Sequence, residues 1–310
     1  MKVFLTGATG AIGPTTVGAM LDAGHNVRAV ARDADKAARL RAAGAEPAVV
    51  DLFDADAVRD ATAGCDVIAH LATNVPPLSR AARRGAWDTH NRLRTDGTRH
   101  LLAAASANGI GTVVKESVTF VYPDCRDGWI DEGITPDDRG PFLAPTLEGE
   151  ELVTDFGARG GRGVVLRFGL FYGPSSRSVD EGLRLARFRA STVVGRADAY
   201  LSSIHTDDVA TAVVAALEAP SGIYNVVDDE PLTRRDYLDA FARAFDLPKL
   251  WLTPAWLLRL VAGGPAEVLL ASQRVANGRF RAATGWHPAY PSAHHGWAAI
   301  GESRRSGATR

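Results

Sequence analysis

The sequence predicts an α/β fold in which a doubly wound parallel sheet is covered by helices on both faces. Three observations support this prediction. Short β-branched runs alternate with longer stretches rich in alanine, leucine and arginine, which is the pattern of buried parallel strands separated by helices. A glycine-rich turn directly follows the first run. Beyond residue 169 the pattern becomes less regular, and it indicates a smaller, mostly helical C-terminal lobe.

The elements follow from these runs in chain order. The predicted strands are Lys2–Leu5, Asn26–Val30, Pro47–Val50, Asp66–Leu71, Thr112–Val118, Gly163–Phe168 and Gly222–Val227. Helix formers dominate Asp35–Ala43, Thr98–Asn108 and Asp207–Glu218. Because the last strand follows the last of these helices, the chain returns to the sheet after visiting the lobe. We therefore predict a sheet domain from residues 1–168 and about 197–228, and a lobe from about 169–196 and 229–310.

Composition narrows the function classes. The 310 residues carry 35 basic and 36 acidic side chains, a net charge of −1, which gives no electrostatic reason to expect nucleic acid or an anionic membrane as partner. The two cysteines favour a reducing compartment, here the cytoplasm. The apolar run at the N-terminus is shorter than the core of a signal peptide. No apolar stretch is long enough to span a bilayer. We expect a cytoplasmic monomer or homodimer that binds a small-molecule substrate.

The turn after the first strand reads Thr6-Gly7-Ala8-Thr9-Gly10-Ala11-Ile12-Gly13. Glycines at these spacings permit a tight turn, close approach of the backbone to a pyrophosphate, and close packing of helix on strand. The next helix then offers free N–H groups to the phosphates, and Pro14 suits its first turn. The sequence therefore predicts a Rossmann-type dinucleotide site whose contacts come from Gly7, Thr9, Gly10, Ala11, Ile12 and Gly13.

The end of the second strand indicates which dinucleotide binds. An acidic residue there would hold the ribose 2′-hydroxyl of NAD, but the position is Ala31, and Arg32 follows it. An arginine fork suits a 2′-phosphate. We predict NADP(H), with Arg32 as the anchor and Lys36 as a second candidate. Alternatively, Asp33 pairs with Arg32 as a surface ion pair.

Motifs along nearly the whole chain resemble those of the extended short-chain dehydrogenase/reductase family, in its NAD-dependent epimerase/dehydratase branch. They include TGATGAIG at 6–13, HLA at 70–72, LRFGLFYGP at 166–174, IHTDDVA at 204–210 and GIYNVVDDEP at 222–231. By this resemblance, Asp51 and Leu52 would flank the adenine. Leu71, Ala72 and Thr73 would line the cofactor, and Phe168, Gly169 and Leu170 would run beside the nicotinamide.

The sequence departs from this family at its catalytic helix. The family uses a Tyr-x-x-x-Lys pair, in which the lysine lowers the pKa of the tyrosine. In this chain the pair falls on Leu143 and Leu147, and a one-residue slip gives Phe142 and Thr146. No tyrosine lies between residues 122 and 172, and no lysine between 115 and 249. The usual pair is absent in any register.

The fifth strand departs as well. Counting back from Tyr122, the family's catalytic serine or threonine falls on Val118. Its neighbours Ser117 and Thr119 keep hydroxyls and, by strand alternation, share the opposite face. A one-residue bulge could bring one of them into place, whereas the alternative is ordinary hydrogen bonding at a strand end. Ser117, Thr119 and Tyr122 are the candidate proton donors.

Other candidate residues receive less specific interpretations. His205 with Asp207 and Asp208 suggests a metal site, but Asp207 or Asp208 is also a natural helix N-cap. His294 and His295 have no partners at ligand spacing, so we predict no metal. Trp129 follows the fifth strand where substrate would lie, and an aromatic wall there suits a flat ligand.

Together these observations favour NADPH-dependent reduction of a ketone on an aromatic or polycyclic, polyketide-like molecule. The chain is similar to the triad-less tailoring ketoreductases of aromatic polyketide antibiotic pathways. The alkoxide still needs a hydrogen-bond donor, which a phenol of the substrate or a water could supply. The alternatives are a non-catalytic NADP(H)-binding regulator or sensor, and a nucleotide-sugar epimerase or dehydratase.

Overall fold

A computed structural model describes residues 1–76, 80, 81, 83, 85–137, 143–174 and 177–308. Its centre is a parallel sheet whose strands run in the order β11-β7-β5-β4-β1-β2-β3. The strand order reverses beside β1, and in open parallel sheets ligands bind at such a point, outside the carboxyl ends of the strands. The strands are β1 (Lys2–Thr6), β2 (Asn26–Ala31), β3 (Glu46–Val49), β4 (Val67–His70), β5 (Thr112–Val118), β7 (Arg162–Phe168) and β11 (Gly222–Val226).

Helices cover both faces of this sheet, which confirms the predicted fold class. One apolar layer packs α1, α2, α8 and α12 against it, and the other packs α3, α5 and α6. These helices are α1 (Gly13–Asp22), α2 (Ala34–Ala42), α3 (Ala55–Thr62), α5 (Thr98–Asn108), α6 (Ala144–Ala158), α8 (Thr206–Ala216) and α12 (Gly278–Thr284).

A further apolar cluster, separate from these two layers, is built by residues from Tyr172 onward. Trp297 and Tyr172 are at its centre, with ring centroids 5.0 Å apart. The helices of this region are α7 (Arg177–Ala186), α9 (Arg234–Ala244), α10 (Ala255–Ala262), α11 (Pro265–Leu270) and α13 (Ala293–Ala308). Short strands complete it: β8 (Leu170–Tyr172), β9 (Tyr200–Leu201), β10 (Ser203–His205) and β12 (Leu232–Thr233). The division of the chain into domain and lobe at the predicted residues stays a prediction.

Two local irregularities occur where the sheet meets the predicted site. Between α4 (Asp88–Arg92) and α5, the segment Leu93–Gly97 is π-helical. After β5, Thr119–Val121 forms a 3₁₀ turn, and the chain then reaches the short strand β6 (Trp129–Ile130), which pairs with β13 (Arg274–Val275). Both irregularities interrupt the regular periodicity that the sequence pattern relies on.

The predicted N-cap of α8 was wrong. His205 is the cap, and its Nδ1 accepts a hydrogen bond from the N–H of Asp207 at 3.2 Å. Asp208 instead accepts the N–H groups of Ala289 and Tyr290, at 2.6 and 3.0 Å. This buried carboxylate therefore ties the loop before α13 to α8.

Along the described residues, no helix combines the length and the apolar character that crossing a bilayer requires.

Candidate active site

The glycine turn packs against the end of β4. Gly7 has a φ of +79°, and a Cβ there would lie 2.5 Å from the carbonyl carbon of Leu71, so only glycine permits this contact. The N–H of Gly10 donates to the carbonyl of Gly7 at 2.9 Å. The turn therefore brings the predicted segments at 7–13 and 71–72 together.

The start of α1 is open to an anion. Its N-cap residue, Ile12, makes no side-chain cap hydrogen bond, and Pro14 occupies the first turn. By contrast, Asp33 and Asp54 cap α2 and α3 with their carboxylates. No side chain therefore competes with a pyrophosphate for the start of α1, and the N–H of Gly13 donates to the carbonyl of Gly10 within the turn at 3.3 Å. A dinucleotide fits the glycine turn and this helix end.

A buried histidine braces the same turn. Thr6 Oγ1 lies 2.7 Å from His70 Nδ1, and His70 Nε2 lies 3.1 Å from the carbonyl of Leu93. Burial, with the charge of Lys115, lowers the pKa of His70 to about 3. The neutral ring therefore donates from Nε2 and accepts the Thr6 hydroxyl at Nδ1. Thr6 in turn accepts the N–H of Ala72 at 3.2 Å, which fixes the residues after β4.

The two cations predicted to hold a 2′-phosphate have different surroundings. Lys36 forms an ion pair with Asp33, the residue that caps α2. This pair lowers the pKa of the Asp33 carboxyl. Arg32 is exposed and makes no hydrogen bond or ion pair with any described residue. No direct ion pair therefore forms between Asp33 and Arg32, so that alternative was wrong, and the charge of Arg32 makes only the smallest contribution to lowering the pKa of the Asp33 carboxyl.

The remaining predicted cofactor residues are spread along the carboxyl edge of the sheet. Asp51 is exposed, and its Oδ1 accepts the N–H of Phe53 at 3.0 Å, while Leu52 is buried. Thr73 is exposed beyond β4. At the end of β7, Phe168 is buried and stacks on Phe171, 5.5 Å between ring centroids. Gly169 is buried beside it, and Leu170 lines a cavity that is described below.

The positions expected to carry the family's acid system form an apolar cluster. Val118, Leu143 and Leu147 pack together. By the predicted alignment, they stand where the family has its catalytic serine or threonine, its tyrosine and its lysine. Their partners in this cluster are Val121, Val268 and Phe120. Leu143 is only 2% exposed, so it is shielded from solvent. In the alternative register, Thr146 is buried in α6, and Phe142 lies outside the described residues.

Ser117 and Tyr122, two of the three candidate donors, belong to a different network. The Ser117 hydroxyl donates to Glu150 Oε1 at 2.5 Å. Arg167 joins Glu150 to Tyr122, donating to the carboxylate at 2.5 Å and to the phenol oxygen at 2.9 Å. The phenol then donates to Asn225 at 2.9 Å, and burial raises the pKa of Tyr122. Both hydroxyls are used inside the protein, which argues against either as proton donor.

Thr119 is also placed differently from the prediction. The pairing of β5 with β7 runs without interruption from Thr112 to Val118, so the proposed bulge is absent. Strand alternation ends at Val118, because Thr119 opens the 3₁₀ turn. Thr119 is 1% exposed and is not among the residues that line the cavity described below.

A buried ion pair that the sequence analysis missed lies beside these positions. Arg94, in the π-helical segment, meets Glu116 of β5 at 3.0 Å, and both are almost fully buried. Arg94 Nε also donates to His90 Nε2 at 3.0 Å, while His90 Nδ1 is buried without a partner. Burial and the Arg94 charge lower the pKa of His90 to about 3. His90 is therefore neutral and carries its proton on Nδ1.

One cavity adjoins the apolar cluster and extends into the C-terminal region. It encloses about 250 Å³, slightly below the range of roughly 300–1,000 Å³ typical of small-molecule sites. Phe120 belongs to both the cluster and the cavity wall. Aromatic side chains form much of the remaining wall: Phe171, Tyr237, Phe241 and Trp297. The cavity therefore suits a flat apolar ligand.

Trp129 is 52% exposed, lies under Arg274 with 4.2 Å from guanidinium carbon to ring centroid, and is not part of the cavity wall. Its predicted place beside the substrate stays a prediction. Within the described part of the chain, no group of three or more histidine, cysteine, aspartate or glutamate side chains could hold a metal ion.

Sequence comparisons identify related proteins. A family model described as the NAD dependent epimerase/dehydratase family matches residues 3–227. A Streptomyces protein named 3-diazoavenalumate denitrifying reductase is 35% identical over 305 residues, covering 94% of this chain and 97% of that protein. A Stigmatella aurantiaca protein named 4-hydroxy-2-methyl-3-oxo-4-farnesyl-3,4-dihydroquinoline-1-oxide ketoreductase is 28% identical, covering 77% of this chain and 71% of its own length.

Solved structures with the same fold support the architecture. The human epimerase family protein SDR39U1 with NADPH has a TM-score of 0.80 at 22% identity, covering 97% of this chain and 99% of that one. The Thermus thermophilus UDP-glucose 4-epimerase complex with NAD has a TM-score of 0.78 at 23% identity, covering 98% and 99%. At this identity the likeness establishes the fold alone.

Proposed function

Because the chain belongs to the NAD dependent epimerase/dehydratase family, whose members are NAD(P)-dependent enzymes, we propose that it is an NADPH-dependent reductase of a small aromatic ketone. One observation carries this proposal. The positions of the family's acid system, Val118, Leu143 and Leu147, form an apolar cluster that adjoins an aromatic-lined cavity through Phe120. Such a site can hold an aromatic ring and cannot supply a proton from those positions.

Each part of the chain has a defined task in this reaction. When bound, the reduced nicotinamide supplies the hydride. The glycine turn and the open end of α1 hold the pyrophosphate, and Arg32 holds the 2′-phosphate. Gly7, Thr9, Gly10, Ala11, Ile12 and Gly13 form the phosphate contacts, with Asp51, Leu52, Leu71, Ala72, Thr73, Phe168, Gly169 and Leu170 along the rest of the cofactor. The aromatic wall orients the substrate and excludes water, which lowers the entropic cost of reaching the reactive geometry.

The proton for the alkoxide comes from outside the usual residues. Ser117 and Tyr122 donate their hydroxyl protons to Glu150 and Asn225, so neither is free to stabilise a growing negative charge. A phenol on the substrate next to the ketone is already positioned and is a stronger acid than a serine hydroxyl. Substrate assistance therefore explains best how the enzyme works without the Tyr-x-x-x-Lys pair, with water as the other source.

A second candidate function is the reductive removal of a diazonium group from an aromatic ring. The relative that is 35% identical over 94% of this chain carries the name of a denitrifying reductase of a diazo compound. Replacement of the diazonium group by hydride releases N₂ and leaves an aromatic C–H bond. This reaction consumes no proton, which agrees with the apolar cluster at the acid positions.

A labelled cofactor tests the proposal and separates the two substrates. We would incubate the enzyme with NADPH deuterated at C4 and with a panel of phenolic aryl ketones, matched non-phenolic ketones and aryl diazonium salts. For ketone reduction, we expect deuterium on the carbinol carbon of the phenolic members, and a rate at least about tenfold lower without the neighbouring phenol. For diazonium removal, the label would appear on the ring carbon.

Two other outcomes would contradict reduction. Tight binding of NADPH without oxidation by any panel member would favour the non-catalytic sensor. Exchange or inversion on a nucleotide sugar would favour an epimerase, and this alternative conflicts with the absence of a base at residues 143 and 147.

A further inference from the structure

Arg234 is a buried positive charge at the start of α9. Its side chain is 2% exposed. Nη2 donates to the carbonyl oxygens of Leu269 and Ala271, at 2.9 and 2.8 Å. Nη1 is buried and has no hydrogen-bond partner. Leaving a charged donor buried and unpaired is costly, so this atom calls for an explanation.

Arg234 differs from the other buried arginines in the described part of the chain. Arg94 is paired with Glu116 at 3.0 Å, and Arg167 with Glu150 at 2.5 Å. Arg234 forms no ion pair with a described carboxylate. The fold therefore satisfies the charges of two buried arginines and leaves the third without a counter-ion.

The acidic groups near Arg234 do not take this role. Asp198 lies at the surface and pairs with Arg196 at 3.1 Å, and Asp124 accepts the N–H of Arg126 at 2.9 Å. Glu181 lines the same cavity as Arg234, but it is exposed and forms no ion pair there. Burial lowers the pKa of Arg234 to about 10, so the group remains charged at neutral pH.

The surroundings of Arg234 leave room for a ligand. Arg234 lines the 250 Å³ cavity, whose wall is otherwise mainly apolar. Gly195 has a φ of +92°, and a Cβ at this position would collide with Nη1. The glycine therefore keeps open the space beside the unpaired nitrogen. The wall of the same cavity includes Phe120 and Leu170, which follow strands β5 and β7 of the sheet.

We propose that Arg234 binds the carboxylate of the aromatic substrate in this cavity. This inference rests on the proposed function, because it takes the cavity to be the substrate site. A carboxylate would complete the hydrogen bonding of Nη1 and supply the missing counter-ion. The substrate class is then an aromatic acid of one or two rings, which suits the modest cavity volume.

Calorimetric binding tests this assignment without any turnover. The probes are 2-naphthoate and its uncharged counterpart 2-naphthamide, each titrated into the NADPH-loaded enzyme. We expect the wild type to bind the acid at least about tenfold more tightly than the amide. Arg234→Met should remove this preference, and Arg234→Lys should retain part of it, because a lysine keeps the charge but loses the planar fork.

Arg235→Met is the matched control. Arg235 follows directly in sequence but is already paired with Asp239 and donates to the carbonyl of Leu250 at 3.0 Å, so its loss should leave the preference for the acid intact. Equal affinity for acid and amide in the wild type, or no binding of either, would overturn the assignment. If Arg234→Met does not fold, the wild-type comparison and Arg234→Lys still decide. A failure of hydride transfer in the labelled-cofactor experiment would leave this binding result unchanged, so the two proposals fail separately.

Discussion

Arg32 and Lys36 show how two nearby cations acquire different roles from their neighbours. Asp33 caps α2 and pairs with Lys36, so the lysine charge is already balanced at the helix start. Arg32, one residue before the cap, is exposed and forms no hydrogen bond or ion pair with a described residue. Its guanidinium is therefore available to bind a phosphate. The sequence identified both cations as candidates for the 2′-phosphate and favoured arginine for its planar fork. Which of the two is unpaired could not be predicted, because that depends on how Asp33 caps α2.

The cofactor preference follows from this difference. Arg32→Ala should raise KM for NADPH by about tenfold or more and leave KM for NADH nearly unchanged, because only NADPH carries the 2′-phosphate. Steady-state kinetics with both cofactors measures this. Lys36→Met is the comparison, with a smaller expected effect. An equal rise for both cofactors after Arg32→Ala would contradict the NADP(H) assignment.

Restoring the Tyr-x-x-x-Lys pair at positions 143 and 147 should not restore the family's usual catalysis. In the Leu143→Tyr, Leu147→Lys double variant, we expect no increase in turnover and a lower melting temperature. The new hydroxyl and ammonium would enter a cluster that offers them no partner. Leu143→Phe with Leu147→Met controls for size alone. A gain in kcat of about tenfold or more would show that the ordinary mechanism still operates here.

The elements of the sheet were predicted well because parallel strands buried on both faces leave an unbroken apolar run. The strand Thr112–Val118 and the helix Thr98–Asn108 have their predicted bounds. The prediction was wrong where periodicity stops. Thr119 leaves the strand for a 3₁₀ turn, and His205 replaces an aspartate as cap of α8. Arg94 was missed because nothing in the local sequence places its partner Glu116 beside it.

The buried network of α6 and β7 should contribute strongly to stability. Glu150→Gln leaves Arg167 charged and buried without its counter-ion, and we expect a loss of about 3 to 5 kcal/mol in the free energy of unfolding. Urea denaturation measures this. On the same helix, Asp155 pairs with Arg159 at 3.6 Å on the surface, and Asp155→Asn should cost about 0.5 kcal/mol or less. Similar losses in both variants would contradict a structural role for the network.

At the scale of the whole molecule, distant parts of the chain build the cavity that we propose as the substrate site. Phe120 and Leu170 come from the sheet edge, whereas Arg234, Tyr237 and Trp297 come from the C-terminal region, and all five line one cavity. The sequence motifs pointed to the sheet edge as the place of the site. They did not identify the part of the cavity wall that α9 and α13 supply, because only the folded chain brings these helices there.

Global stability should also depend on pH through one buried lysine. Burial, followed by the charge of Arg94, lowers the pKa of Lys115 from 10.5 to about 7. Between these values the unfolded chain binds a proton that the folded chain lacks, so the contribution of Lys115 to stability grows as pH rises from 7 to 10. From pH 7.5 to 9, we expect the wild type to gain about 1 to 2 kcal/mol relative to Lys115→Met.

Denaturation of both proteins at the two pH values measures this difference. The comparison is needed because burial also raises the pKa values of Cys65 and Tyr122, which lowers stability as pH rises in both proteins. A constant difference between wild type and Lys115→Met across this range would show that Lys115 titrates normally.

The apolar cluster of Val118, Leu143 and Leu147 also affects whether the proposed reaction can run in reverse, from alcohol to ketone. A group that delivers a proton during reduction must collect one when the same reaction runs backwards. Here the proposed proton donor is a phenol of the substrate itself. A simple alcohol lacks this phenol, and the apolar cluster offers no base to deprotonate it. The proposed enzyme would therefore oxidise NADPH while reducing its ketone, and it would not reduce NADP⁺ with ordinary alcohols.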